Sequence, residues 1–209
     1  MSRMIDLHMH IIPDVDDGAE SLEVAEQMLR MAIEQGVEVV FATSHSFAHE
    51  KYTEHTRVQY RKLQKLVKEK ALPIEMHLGC EVFLEPDCID QTIKDLEIGR
   101  LPSLNMTKYV LVEMYDAKGD SLIGAISKLV DSGWKPVIAH AERISGLSIS
   151  MAEKLKSMGC LLQMNAYSVG EEENHTIRKR VLELLENKLI DFVGSDAHGI
   201  KHRPPSVKK

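Results

Sequence analysis

Hydrophobic and polar positions along the chain repeat one unit, an amphipathic helix followed by a short apolar run rich in β-forming residues. In the clearest copy, one face of the helix carries apolar side chains: Leu22, Ala25, Leu29, Ala32 and Ile33. Ser21 stands at the N-cap position and Gly36 just past the last turn, and residues 37–43 follow as a predicted strand. The repetition predicts helices that alternate with short strands.

Seven strands are predicted in this way, over residues 4–8, 37–43, 76–82, 109–114, 136–139, 160–164 and 190–193. Short buried strands that alternate with helices are typical of a parallel sheet. Nearly every strand closes on polar residues: His8 and His10, His45, Glu81, Glu113, His140, Asn165, then Asp196 and His198. An open doubly wound sheet needs such residues at two or three strand ends only, so the pattern favours a closed or nearly closed barrel.

Two histidine-containing motifs stand at opposite ends of the chain. His8 and His10 share one side of a strand, because side chains alternate with period two, and Asp14, Asp16 and Asp17 follow in a turn. Asp196 and His198 repeat the same spacing after the last strand. The first and last strands of a closed barrel are neighbours, so the two motifs can meet there. Imidazoles beside carboxylates are a donor set that manganese, iron or zinc prefers.

Glu81 and Glu113 end largely apolar strands, where an unpaired carboxylate is unfavourable. Metal coordination removes that cost, and a salt bridge to a buried Lys or Arg is the alternative. The candidate donors are roughly four carboxylates (one from the turn after His10, with Glu81, Glu113 and Asp196) and five imidazoles (His8, His10, His45, His140, His198). One ion of this kind takes about four to six ligands, so this number predicts two or three ions.

Composition limits the location and partners of the protein. The 209 residues, 44% of them hydrophobic and without an internal linker, predict one domain over residues 1–209. The sequence contains neither a bilayer-spanning apolar run nor a signal peptide, which predicts a cytoplasmic protein without membrane insertion. A net charge of -6 and 5% aromatic residues argue against a nucleic-acid substrate. The scattered Cys80, Cys88 and Cys160 are interpreted as reduced core thiols.

Taken together, the strand-end motifs resemble those of the PHP (polymerase and histidinol phosphatase) superfamily. The motifs occur in the family order: His8-Met-His10 with Asp17, Ser44-His45, Gly79-Cys-Glu81, Glu113, Ala139-His-Ala-Glu-Arg143 and Gly194-Ser-Asp-Ala-His198. The stretch from Ile5 to Gly18 more closely resembles bacterial PHP-type protein-tyrosine phosphatases of capsule and exopolysaccharide operons. Coverage runs from about residue 4 to 205, although relatives of this type continue with further helical sequence whereas this chain stops at Lys209.

The resemblance implies an α/β fold, a distorted (β/α)7, TIM-barrel-like PHP barrel, with a trinuclear centre in which manganese is favoured. It implies one ion held by His8, His10, Glu81 and Asp196, a second by Glu81, Glu113 and His140, and a third by Asp17, His45 and His198. It also implies that Arg143 and Arg203 hold the phosphate. Guanidinium groups suit this role, because each can engage two phosphate oxygens at once.

The implied activity is hydrolysis of phosphotyrosine by a metal-activated hydroxide, in the regulation of capsular or exopolysaccharide synthesis, with a bacterial tyrosine kinase as the substrate protein. Two alternatives stay open: a PHP phosphatase of a small metabolite such as histidinol phosphate or a sugar phosphate, and a catalytically impaired, metal-stabilised interaction module. The protein could also form an oligomer. Five histidines outside the motifs are interpreted as surface or structural residues: His49, His55, His77, His175 and His202. Of these, His49 and His202 are candidates for contacts with the substrate or with the metal ligands.

Overall fold

The computed structural model describes residues 3–46, 54–116, 120–170 and 173–207. Within these ranges the strands are β1 (Met4–Met9), β2 (Val37–Ala42), β3 (His45–Ser46), β4 (Glu75–Leu78), β5 (Glu81–Phe83), β6 (Tyr109–Glu113), β7 (Lys135–Ile138), β8 (Leu161–Asn165) and β9 (Phe192–Gly194). The α-helices are α1 (Leu22–Glu34), α2 (Glu54–Glu69), α3 (Ile89–Glu97), α4 (Asp120–Asp131), α5 (Ile149–Ser157) and α6 (His175–Glu186). None of these helices is long and apolar enough to cross a membrane.

Side-chain caps fix where the helices begin. The Val24 amide donates to Ser21 Oγ at 3.3 Å at the start of α1, as the sequence predicts. Gly36 follows this helix with a φ of 87°, a conformation that a side chain would strain. Ser148 caps α5 in the same way as Ser21 caps α1. The apolar face of each helix can then pack on the outer side of the sheet.

The paired strands all run parallel, in the orders β1-β2-β4 and β3-β5-β6-β7-β8-β9. The chain passes directly from β2 to β3 and from β4 to β5, so the two sheets form one curled circuit of seven strand positions. Backbone hydrogen bonds close the circuit between its ends, from Asp196 N to His8 O at 2.8 Å and from His10 N to Ala197 O at 2.9 Å. The predicted α/β barrel class is confirmed.

Two details of the predicted strands were wrong. The predicted strand 76–82 is interrupted at residues 79–80, and β3 was not predicted at all. Gly79 explains the interruption, because a Cβ there would lie 2.8 Å from Leu104 Cδ2, a side chain inserted from the connection before β6. Strands β4 and β5 therefore pair with different partners, β2 and β3 respectively.

The interior of the barrel is apolar below the strand ends. One buried cluster fills it: Leu7, Leu104, Leu111, Val137 and Ala139, with Phe41 and Leu161 packed against them. The end at which β1, β6 and β9 begin is also apolar but partly open, with Ile5 48%, Phe192 37% and Val193 42% exposed. A cavity of about 500 Å³ opens there. The other end of the same strands is polar and buried.

Candidate metal centre

The site begins at the end of β1, where the strand register is irregular. The pairing with β2 shifts between Asp6 and Met9, so Leu7 joins the barrel interior while Met9 packs outward against α1. His8 and His10 are both fully buried, and their Nε2 atoms lie 3.1 Å apart. Two imidazoles thus face the same point, as their spacing predicts.

Glu81 lies at the centre of the cluster. Its Oε2 is 3.1 Å from His10 Nε2, 3.2 Å from His45 Nδ1 and 3.3 Å from His8 Nε2, and its Oε1 is 2.9 Å from His140 Nε2. Burial raises the pKa of Glu81, but the imidazoles, His8 first, lower it to well below its usual range. One buried carboxylate therefore contacts four imidazoles.

The remaining donors extend the cluster on both sides of Glu81. Glu113 Oε1 lies 3.5 Å from His140 Nε2, and Asp17 Oδ1 lies 3.4 Å from the Nε2 atoms of both His45 and His198. Asp196 completes the set, with Oδ1 3.5 Å from the Nε2 atoms of His8 and His10. The structure brings all nine predicted donors together.

Three groups of donor atoms are close enough to hold an ion, with all atoms of a group within 4.8 Å of one another: His8, His10 and Glu81; His45, Glu81 and Glu113; and His10, Asp17, His45 and His198. The first and third resemble the partition that the family resemblance implies. The second differs, because His45 joins Glu81 and Glu113 where His140 was expected. His140 nevertheless contacts both of these carboxylates.

Several donor atoms face one another without forming hydrogen bonds. Among the described residues, the buried Glu81 Oε2, Glu113 Oε2 and His198 Nε2 have no partner in hydrogen-bond geometry. Buried polar atoms are normally paired, so lone pairs that converge in this way need positive charge between them. Burial lowers the pKa of His10, but the adjacent carboxylates of Asp16 and Glu81 outweigh burial and raise it to about 10. These donors fit divalent cations.

Two further residues, which were not among the predicted site residues, hold the imidazoles in place. Asp16 Oδ2 lies 2.9 Å from His10 Nδ1 and accepts from the His45 amide at 2.9 Å. Gln163 Oε1 lies 3.1 Å from His8 Nδ1 and accepts from the His140 amide at 2.9 Å. Such contacts fix which ring nitrogen faces a metal. A signal existed for Gln163, a fully buried polar residue within the apolar strand β8.

Both predicted arginines lie at the rim of the cluster. Arg143 Nη1 is 3.2 Å and Arg203 Nη1 3.3 Å from Asp196 Oδ2, and Arg203 Nη2 is 3.4 Å from Asp17 Oδ2. Their side chains are 41% and 34% exposed, so each guanidinium also reaches solvent. His140, Asp196 and Arg203 all have positive φ, of 31°, 51° and 45°. Backbone in this conformation is strained and occurs often at functional sites.

The remaining histidines and the cysteines are not part of the three donor groups. His55 and His77 contact Asp14 and Glu75 respectively, His202 is exposed, and His49 lies outside the described residues. All three cysteines are free, as the sequence predicts, and Cys80 and Cys160 are buried. The prediction of a core thiol was wrong for Cys88, which is only partly buried because it lies in the exposed turn before α3. Burial raises the pKa of the Cys160 thiol to about 12 and also raises that of Cys80.

Fold and site together define a β/α barrel with a candidate polynuclear metal centre at its carboxyl end. A family model described as "Capsular polysaccharide synthesis, CpsB/CapC" matches residues 4–209, and the chain belongs to this family. Tyrosine-protein phosphatase CpsB of Streptococcus pneumoniae is 32% identical, over 99% of this chain and 87% of that protein. Tyrosine-protein phosphatase YwqE of Bacillus subtilis is 31% identical, over 96% and 79%. The predicted PHP-type phosphatase resemblance is thereby confirmed.

Solved structures agree with this assignment. A crystal structure from a study of YwqE from Bacillus subtilis and CpsB from Streptococcus pneumoniae, described as unique metal-dependent tyrosine phosphatases, superposes with a TM-score of 0.86. It is 31% identical, and the match covers 98% of this chain and 83% of that one. A putative histidinol phosphatase from Listeria monocytogenes, 14% identical with a TM-score of 0.54, shares the fold.

Proposed function

We propose that this chain is a metal-dependent protein-tyrosine phosphatase that acts in the control of capsular or exopolysaccharide synthesis. The observation that carries this proposal is the contact of Glu81 with four imidazoles, with two partly exposed arginines at the rim of the same cluster. In this proposal the nine donor residues hold two or three divalent cations, with manganese favoured over iron or zinc.

Bound cations would supply positive charge for the phosphoryl oxygens and a water whose pKa is lowered from about 15.7 to roughly 7. The protein's own contribution is to hold the donors rigidly and to bind the phosphate. Asp16 and Gln163 orient His10 and His8, so the donor atoms keep their positions before substrate arrives. Preorganised charge of this kind is the main source of catalysis in phosphoryl transfer.

Arg143 and Arg203 are proposed to bind the phosphate. Asp196 contacts Nη1 of Arg143, and the guanidinium group has further N–H donors that can bind phosphoryl oxygens. Arg203 is held by both Asp196 and Asp17, which fixes its plane. A phenol has a pKa of about 10, so tyrosine leaves without needing a strong general acid.

The proposed substrate is a phosphotyrosine protein, and specifically a bacterial tyrosine kinase. The family assignment to capsular polysaccharide synthesis and the names of the relatives support this class of substrate. A small phosphorylated metabolite is the competing substrate, since the same metal centre serves both reactions. An inactive docking module is less well supported, because all nine donor positions carry side chains able to bind metal.

Hydrolysis of a phosphotyrosine peptide by protein purified without chelator tests the proposal. We expect a chelator to abolish turnover, manganese to restore it, and elemental analysis to give at least two ions per chain. The matched variant Cys80→Ser/Cys88→Ser/Cys160→Ser should keep most activity, because no cysteine has an activated thiol. Chelator-resistant hydrolysis that disappears on thiol alkylation would contradict the metal mechanism. Faster turnover of histidinol phosphate than of the peptide would favour the metabolite alternative.

A further inference from the structure

Two aromatic side chains continue the strand faces that carry the central carboxylates. Phe83 follows Glu81 by two residues in β5, and Tyr115 follows Glu113 by two residues just past the end of β6. Side chains two residues apart on a strand share a face, which places Phe83 on the face of Glu81. Tyr115 lies at a bend, and its ring contact with Phe83 places it on the same side. Phe83 also lies directly beside Glu113 in the pairing of β5 with β6. Both rings therefore stand on the side of the sheet that carries the candidate metal centre, one step nearer to its mouth.

The two rings are in contact, and Tyr115 is accessible to solvent. Their centroids lie 4.8 Å apart with an interplanar angle of 46°, and Tyr115 is 64% exposed. A hydrogen bond from Ser145 N to Tyr115 O, at 3.0 Å, holds the backbone of Tyr115. The charge of Glu113, then burial and the charge of Glu81, raise the pKa of Tyr115, while Arg143 lowers it. Its hydroxyl thus lies in the electrostatic field of the site.

The spacing along the strands gives the height of the rings above the donors. Two residues of a parallel strand rise about 6.6 Å, so the rings form a layer above the carboxylates of Glu81 and Glu113. A phosphoryl group held at these donors and Arg143 would have its ester oxygen on the solvent side, because the donors are buried beneath it. The group esterified to that oxygen then lies at the level of the rings.

We infer that Phe83 and Tyr115, which we call the aromatic rim, pack against the phenyl ring of the substrate and so select aryl over alkyl phosphate esters. This inference rests on the proposed phosphatase function and adds a determinant of its substrate class. A phenyl ring gains offset or edge-to-face contacts at the rim. The side chain of phosphoserine is too short to reach the same layer and gains none of them.

Kinetics with paired peptides, identical except for phosphotyrosine or phosphoserine, test the aromatic rim in the manganese-loaded enzyme. Tyr115→Leu should raise KM for the phosphotyrosine peptide about three- to tenfold with little change in kcat, because it removes one aromatic contact. Tyr115→Phe keeps the ring and should stay within about twofold of the wild-type KM. Tyr109→Leu is the matched control: it changes the same residue type on the same face of β6, at the opposite end of the strand.

Calorimetric binding of phenylphosphonate and methylphosphonate separates recognition from turnover. The wild type should bind phenylphosphonate more tightly, and Tyr115→Leu and Phe83→Leu should each reduce this preference while leaving methylphosphonate affinity unchanged. Equal losses for both phosphonates, or no change for either in Tyr115→Leu, would overturn the inference. Tyr115→Leu decides the outcome even if Phe83→Leu proves unstable, because Tyr115 is mostly exposed.

The same measurements distinguish failure of the rim from failure of the proposed function. If the wild type hydrolyses the phosphotyrosine peptide but Tyr115→Leu has an unchanged KM, the inferred role of the aromatic rim is wrong and the proposed phosphatase function is supported. If the wild type hydrolyses neither peptide and shows no preference between the phosphonates, both the proposed function and the rim are wrong.

Discussion

The two ends of the barrel are built from the same strands and have opposite chemistry. Strand β6 begins with the exposed Tyr109 and ends with the buried Glu113, and β1 has the exposed Ile5 near its start and the fully buried His8 near its end. Apolar side chains thus face solvent at one end while charged ones are enclosed at the other. This reverses the usual distribution of polar and apolar residues.

The difference shows which residues are placed by chemistry and which by packing. At the carboxyl end, burial of carboxylates and imidazoles is tolerable only because they compensate one another and fit cations. The apolar layer around Leu111 and Val137 separates this end from the open one. Substitutions at the carboxyl end should therefore affect metal content and turnover. Substitutions at the open, apolar end should affect neither.

The largest expected effect is at the carboxylate shared by the donor groups. Glu81→Ala should reduce phosphatase activity to background and lower the metal content, because two of the three donor groups contain this residue. Elemental analysis and turnover of the same sample check this prediction. Glu75→Ala, a surface glutamate on the neighbouring β4, is the control and should retain both. Full metal content in Glu81→Ala would remove this residue from the centre.

A smaller effect is expected at the rim of the same end. Arg143→Ala should lower kcat/KM for a phosphotyrosine peptide about 10²- to 10³-fold, since it removes a charged donor to the phosphate. Metal content should stay at the wild-type level. Arg61→Ala, an arginine of α2 paired with Glu54 on the surface, controls for loss of positive charge. Loss of metal in Arg143→Ala would show instead that Arg143 holds Asp196 in position for metal binding.

A smaller effect again is expected at Gln163, which contacts His8 and His140 on the side away from the candidate metal centre. Gln163→Met should weaken metal binding about ten- to a hundredfold, because His8 and the His140 amide lose their shared acceptor. Competition with a metal-sensitive dye measures the affinity. Gln64→Met on α2 provides the comparison outside the site. Excess manganese should restore most activity in Gln163→Met, and failure of this rescue would point to a damaged fold.

The smallest effect is expected at the open, apolar end. Phe192→Thr removes a ring that is 37% exposed, and loss of its buried part should lower the free energy of unfolding by about 1 to 2 kcal/mol. Metal content and kcat/KM should be unchanged. Thermal unfolding and turnover test both statements. A large loss of activity in this variant would show that the two ends are coupled, against the separation described above.

The sequence predicts this polarity of the barrel better than it predicts the contacts within the site. Periodicity and strand-end residues are local signals, so the apolar runs and residues such as Glu113 could be identified directly. The role of Asp16 could not, because Asp14, Asp16 and Asp17 lie in one turn and only the fold shows which contacts His10. The break at Gly79 likewise depends on Leu104, which approaches from 25 positions further along the chain.

The hydrogen bonds that join His8 to Asp196 have a consequence for how the protein is made. During translation, the first imidazoles leave the ribosome long before the last strand, and the ring of strands cannot close until residues 196–198 have followed. A nascent chain therefore lacks the donors Asp196 and His198, and the edge of β1 that bonds to residues 196–197 stays unpaired until synthesis has reached this point. In the proposed metal centre, complete loading would come after closure, because the donor group of His10, Asp17, His45 and His198 is complete only then.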